Sequence, residues 1–229
     1  MKSLISNVQH ILGSQLLGLD ELKYSQTFDY NKSHYANMSF PELDGIDIFS
    51  IVDPPEKNSS SHTKKELQYI AQKANNRSIK EVELVYNVDK DPFYVFEDQF
   101  KALNIDFPYR KFYTIYEHIV VAVIEHLKFY YNRARPFQVS ALYNIPINRI
   151  ETSTHHTPSY PSGHTMYAQL ISEIASEKYP EKQGVFDMLA QKCGEARVLQ
   201  GVHYPSDNSA ATKIIKTIYP KLSEYYEKL

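Results

Sequence analysis

An all-α helical bundle is the fold this chain predicts, on three observations. Apolar residues recur at three- and four-residue steps through most of its length, and no stretch keeps the two-residue alternation of a half-buried strand. Gly is scarce, at 7 of 229 residues, whereas Tyr reaches 19, which suits helices packed with aromatic rings better than a turn-rich β protein. Pro and Gly fall mostly between the periodic stretches, where helices stop.

Residues 1–50 carry no motif and are set apart as an N-terminal extension, and 51–229 are expected to form one helical domain. Within the extension, 4–17 fit a short amphipathic helix, and 24–47 are mixed and broken at Pro41 and Gly45. The stretch 53–61, opening Asp53-Pro54-Pro55, reads as an extended loop. Thr63-Lys-Lys-Glu66 then has capping-box spacing and opens a helix with Leu67, Ile70, Ala71 and Ala74 on its buried face. A second helix is predicted over 79–88, before the break at Pro92, and a third over 93–103. The stretch 109–134 reads as one long helix with Phe112, Ile115, Tyr116, Ile119, Val123, Leu127 and Tyr131 on its apolar face, ended by Pro136. Next, 137–160 reads as a connector, and Ser162 is placed to cap a helix running to Pro180. A further helix over 181–199 would bury Val185, Met188, Leu189, Ala196 and Leu199 and stop at Gly201. The last starts at Ser206 or Asp207 and buries Ala210, Ala211, Ile214, Ile215 and Ile218.

Composition removes several functions. A net charge of −2 with 23% charged residues gives no basic field for nucleic acid or anionic lipid. The longest apolar run is 119–124, too short for a membrane span. The single Cys193 excludes an internal disulfide. Asn7, Gln9, His10, Ser14 and Gln15 interrupt any signal-peptide core, so a soluble, cytoplasmic protein is expected, or a periplasmic one if a leader is removed. The adjacent His155 and His156 are read as part of a substrate-facing loop, with no metal expected.

Three short blocks carry the chemistry: Lys128 with Arg135-Pro136, then Pro161-Ser162-Gly163-His164, then Arg197 through His203 to Asp207. Together they hold three fixed cations, two histidines, a Ser-Gly turn and a carboxylate. A tetrahedral dianion is best gripped by guanidinium forks, an ammonium and backbone N–H groups, because charge-assisted hydrogen bonds are the strong ones. Lys128 and Arg135 are seven apart, two turns of the expected helix, and so share one face, although Arg133 beside them equally fits a solvated basic end. Gly163 falls at a helix N-terminus, where free N–H groups attract anions. Asp207, four residues after His203, can fix one ring nitrogen and leave the other free to attack. It also fits simple N-capping, as Arg197 fits dipole complementation at a helix C-terminus.

The ordered pattern Lys-x6-Arg-Pro, Pro-Ser-Gly-His and Arg-x5-His-x3-Asp resembles the signature of the type 2 phosphatidic acid phosphatase superfamily, which includes vanadium haloperoxidases. The wider stretch 157–165 is most similar to soluble class A bacterial nonspecific acid phosphatases. That resemblance implies an all-α bundle, a homodimer or larger homo-oligomer, and a metal-independent acid phosphatase of broad specificity acting on small phosphate monoesters. It also implies His203 as nucleophile, His164 as proton donor, Asp207 as support, and Lys128, Arg135, Arg197, Ser162 and Gly163 as the phosphate cradle. No cofactor is expected, with vanadate an inhibitor. The alternatives are a vanadate-dependent haloperoxidase, with vanadate as cofactor, or a relative that binds phosphate without turnover. One departure stands out: Ala196 replaces the family's usual Ser before Arg197.

Overall fold

Several hydroxyl residues precede the first long periodic stretch, and the earliest well-placed one takes the cap. In the computed structural model, which describes residues 18–229, Ser60 accepts a hydrogen bond from the Thr63 N–H, and α1 spans Ser61–Asn75. The capping box expected at Thr63 and Glu66 does not form. Thr63 lies inside the first turn, and Glu66 is buried with Leu67, Ile70, Ala71 and Ala74. The helix expected over 4–17 lies outside the described residues. Helix α2, Ile79–Lys90, does carry a capping box, between Ser78 and Glu81, and its last turn includes Asp89. Helix α3 spans Tyr94–Ala102.

The stretch 109–134 is not one helix. Helix α4 (Tyr109–Ile115) passes through a π turn (Tyr116–Val120) into α5 (Val121–Tyr131). Phe112, Ile115, Ile119, Val123 and Leu127 stay buried throughout, because the wider turn re-aims the later face toward the same core, while Tyr116 and Tyr131 of the predicted face are only partly buried against it. Asn132, left-handed at φ 45°, stops α5, a conformation Asn tolerates. Pro136 ends nothing. It opens α6 (Pro136–Leu142), at the first helical position, where its missing N–H has no intrahelical partner to lose. The expected connector is therefore helical at its start.

Ser162 caps α7 (Gly163–Lys178) as expected, and α8 (Gln183–Gln200) stops at Gly201. The buried face of α8 agrees with the predicted one at Ala196 and Leu199 but differs earlier: Met188 is 60% exposed, while Phe186, Ala190 and Cys193 face inward. Helix α9, Pro205–Tyr226, starts one residue earlier than expected, again with Pro in the first position, so Asp207 is its third residue and not its cap. Its predicted inner face is fully buried.

Helices α4, α5, α7, α8 and α9 close around one apolar core, to which Leu43 and Ile48 of the preceding segment also belong. A second cluster joins Leu67 and Ile70 of α1 to Val139, Val198 and Tyr204, and so seats α1 beside the start of α9. Where α7, α8 and α9 meet, a Cβ on Gly194 would lie 3.0 Å from Thr165 Oγ1 and from Asn208. Among the described residues no strand forms beyond one bridge between Lys23 and Arg133, and no helix is long and apolar enough to cross a membrane.

Gly201 sets the angle between α8 and α9. Its φ of 87° disfavours side chains, and an added Cβ would meet Ile147 Cγ2 at 2.7 Å. Gly201→Ala is expected to destabilise the fold by about 2 kcal/mol, seen as a lower urea midpoint at an unchanged denaturant slope.

Candidate active site

The three sequence blocks all fall at helix ends. Lys128 lies in the last turn of α5, Arg135 is the N-cap of α6, and Ser162 is the N-cap of α7. Arg197 lies in the last turn of α8, and Asp207 in the first turn of α9. Lys128 and Arg135 do not share a helix face, since Asn132 breaks the backbone between them. They meet because the chain reverses: Lys128 Nζ donates to the Pro158 carbonyl at 2.5 Å, and Arg135 Nη2 approaches the same oxygen at 3.5 Å.

His203 stands between a carboxylate and a guanidinium. Its Nδ1 is 2.9 Å from Asp207 Oδ2, and its Nε2 is 3.0 Å from Arg135 Nη1. Nδ1 therefore carries the proton, and the lone pair sits on Nε2. Arg135 is further fixed by the Thr157 and Val202 carbonyls at 2.9 Å each. The second block joins through Ser162, whose N–H donates to the Asp207 carbonyl at 3.2 Å. Its hydroxyl accepts from Thr165 Oγ1 at 2.9 Å. A Cβ on Gly163 would lie 3.9 Å from Lys128 Cε, so the start of α7 faces the ammonium stem. The N–H groups of Gly163 and His164 have no intrahelical carbonyl, as at any helix start. Six of the eight residues singled out in the sequence, Lys128, Arg135, Ser162, Gly163, His203 and Asp207, are thus drawn together by contacts, and Arg197 and His164 join them as electrostatic neighbours.

Burial dominates its electrostatics. Lys128, Arg135, Arg197 and His203 are each at most 5% exposed, and Asp207 is fully enclosed. Burial, and then Arg135, hold Lys128 well below its ordinary value against the pull of Asp207. Burial and Arg197 bring Arg135 down to about 9, which leaves it charged at neutral pH. His203 is pushed well below its ordinary value by burial and then by Arg135, with Asp207 opposing, and is neutral. The half-buried His164 is lowered likewise by burial and Arg197, with Asp89 opposing. Asp207 resists its own burial because Arg133, His203 and Ser159 hold it below the carboxylate range.

Several residues absent from the sequence reading complete the site. Asp89 of α2 accepts from Arg197 Nη1 at 2.6 Å, from Thr152 Oγ1 at 2.7 Å, and from Thr154 Oγ1. Arg197 Nε is buried without a partner, a donor still available. Arg133 is no solvated basic end: at 4% exposure it lies 2.5 Å from Asp207 Oδ1. Ser159 donates to Asp207 Oδ2. His155 pairs with Glu151, four residues before it, at 3.1 Å, and stacks on His156. Neither Asp89 nor Ser159 belongs to a spacing pattern that marks it in sequence. Ala196, at 0% exposure, lies in the main apolar core. A cleft of 490 Å³ lined by Thr165, Gly194 and Asn208 lies behind the cluster, and none of the eight residues lines it.

Comparison with known proteins agrees with this arrangement. Residues 112–214 match the family model described as the PAP2 superfamily. Over 85 residues the chain is 38% identical to a non-specific acid phosphatase of Salmonella typhimurium (strain LT2) and 36% identical to one of Salmonella typhi. Those matches cover 36% of this chain and 33% of each relative, so the likeness spans about a third of the curated proteins. The fold is similar to that of a holo-type bacterial vanadium-dependent chloroperoxidase, with a TM-score of 0.60 at 14% identity over 85% of this chain and 54% of that one. The three motifs all lie within residues 112–214, the stretch that matches the PAP2 superfamily, and the helical fold around them is similar to that of a vanadium-dependent chloroperoxidase.

Proposed function

We propose that this protein hydrolyses phosphate monoesters through a phosphohistidine on His203, without a metal. The observation that carries the proposal is the pairing of the His203 ring: Asp207 on Nδ1 fixes the tautomer, and Nε2 faces the cations. Lys128, Arg135, Arg197 and the N–H groups at the start of α7 take the non-bridging oxygens. The unpartnered Arg197 Nε and the Arg135 Nη1 now resting on Nε2 turn to the phosphate, and that second move frees the nucleophile's lone pair. The Nε2 pair attacks phosphorus, the bond to the ester oxygen breaks, and His164 gives its proton to the departing alkoxide. His164 then takes a proton from water, whose oxygen displaces His203 and releases inorganic phosphate. The cations neutralise charge that grows on the equatorial oxygens. None of these groups contacts the leaving group beyond His164, which supports broad specificity.

The empty site has a charge imbalance that the substrate corrects. With Lys128 protonated, four buried cations, Lys128, Arg133, Arg135 and Arg197, face three buried carboxylates, Glu66, Asp89 and Asp207, and both histidines are held neutral. A bound dianion reverses the local sign and raises His164 toward protonation, which is the form the first step needs. Its pKa is low when empty and higher when loaded. Proton uptake therefore occurs between those two values, and affinity falls as pH rises through the upper one.

Two measurements test this. Hydrolysis of p-nitrophenyl phosphate should persist in EDTA and fall by roughly a thousandfold or more in His203→Ala, whereas binding of inorganic phosphate without turnover would leave only a phosphate-binding protein. Calorimetric titration with inorganic phosphate near pH 6, in buffers of different ionisation enthalpy, should show proton uptake that is smaller in His164→Ala. Equal uptake in both proteins would remove His164 from the acid role. Supplying vanadate, peroxide and bromide should give no halide oxidation. Bromide turnover there would favour the haloperoxidase reading, with vanadate held in the same cradle.

A further inference from the structure

Of the four buried cations, Arg133 is the one that bridges two carboxylates. Its Nη1 lies 2.5 Å from Asp207 Oδ1, the oxygen His203 does not use, and its Nη2 lies 3.4 Å from Glu66 Oε2. The guanidinium carbon sits 3.8 Å over the centre of the Tyr204 ring, and Nη1 also donates to Ser206 Oγ at 2.9 Å. Glu66 is fixed in turn by the Ser206 N–H at 2.7 Å and the Ser206 hydroxyl at 2.9 Å. The side chains of Arg133 and Glu66 are only 3% and 8% exposed. The other Asp207 oxygen takes His203, the Tyr204 N–H and Ser159. With both oxygens committed, the carboxylate cannot turn without breaking a charged contact.

We propose that Arg133, anchored by Glu66, is a positioning residue for the nucleophile: it clamps the far oxygen of Asp207, so that the near oxygen meets His203 Nδ1 in one orientation and the carboxylate's charge is shared. The proposal rests on the reading of His203 as nucleophile. Its consequence is electrostatic. A carboxylate shared with a guanidinium pulls less on the imidazole, so His203 keeps its lone pair at acid pH. The other charged groups near Asp207 are Lys128 and Arg135, on the side of the anion. Beyond Glu66 stands the exposed His62, at 3.7 Å. Removing the Arg133 charge must raise the proton affinity of His203, and removing the Glu66 charge must lower it. A clamp that only filled space would show no such opposition of sign.

The test is the ring titration of His203, followed by NMR in the full chain labelled with 15N-histidine and assigned by the signal missing from His203→Gln. In Arg133→Met the midpoint should rise by about one unit or more. With p-nitrophenyl phosphate, kcat on the acid side should fall roughly tenfold while KM stays within about twofold, because Arg133 does not touch phosphate. Arg133→Lys should recover part of both changes, and Glu66→Gln should move the midpoint downward. An unmoved midpoint in Arg133→Met, or shifts of the same sign in Arg133→Met and Glu66→Gln, would overturn the clamp. If Arg133→Met does not fold by circular dichroism, Glu66→Gln decides alone, and no shift or an upward one overturns it. A wild type without turnover would defeat the hydrolase reading, while the titration would still judge the clamp.

Discussion

The site depends on burying more positive than negative charge where five helix ends meet. An enclosed ammonium or guanidinium loses its hydration, and the idealised cost is far larger than the stability of a whole domain. The protein offsets it with short contacts to carbonyls and carboxylates: Lys128 on Pro158, Arg135 on Thr157 and Val202, Arg197 on Asp89, and Arg133 on Asp207 and Glu66. Donor capacity is left over, at Arg133 Nε and Arg197 Nε. An anion is the natural completion of such a site, which exists because the fold holds it open. The same enclosure keeps both imidazoles neutral, so on the proposed reading His203 is already in its reactive form and only His164 waits for a dianion to be protonated.

Helix ends suit this task for a geometric reason. A helix start presents N–H groups with no carbonyl to meet, and a loop between helices turns its own carbonyls inward. Ser162 uses its N–H to hold the Asp207 carbonyl and its hydroxyl to cap α7, which fixes the start of that helix against α9. The long loop between α6 and α7 contributes the Thr157 and Pro158 carbonyls that hold Arg135 and Lys128. Fixed backbone dipoles need no reorganisation when charge moves, which is the property a phosphoryl-transfer site requires.

Much of this was legible in the sequence, and what was not follows a pattern. The helical periodicities of α1 and α9 named the apolar part of their buried faces, and missed the polar residues buried beside it, such as Glu66 and Asp207. On the first half of α8 the pattern misled: the inward face carries small residues such as Ala190 and Cys193, while the larger Met188 points to solvent. The interruption between Tyr109 and Tyr131 left no Gly or Pro to announce it, since a π turn and a left-handed Asn need neither. Pro136 was read as a stop when it was a start, an ambiguity inherent in a residue favoured at the first helical position. The eight site residues were visible because their spacing is local. Their partners were not, because Glu66 and Arg133 are brought together by the tertiary fold across 67 positions, and Asp89 and Arg197 across 108.

That separation bears on what the first hundred residues do. The stretch that matches the superfamily, 112–214, contains every cation of the site but only one of its buried carboxylates, Asp207. The other two, Glu66 and Asp89, come from α1 and α2, which lie before it. Without them Arg133 and Arg197 would keep their burial and lose their counter-charges, and an uncompensated buried cation costs more than a lost surface pair. Helices α1 and α2 are therefore part of the electrostatics of the site. Glu66 and Asp89 thus balance most of the positive charge buried by the signature blocks, and what they leave unbalanced is the part that the proposed function assigns to an anion.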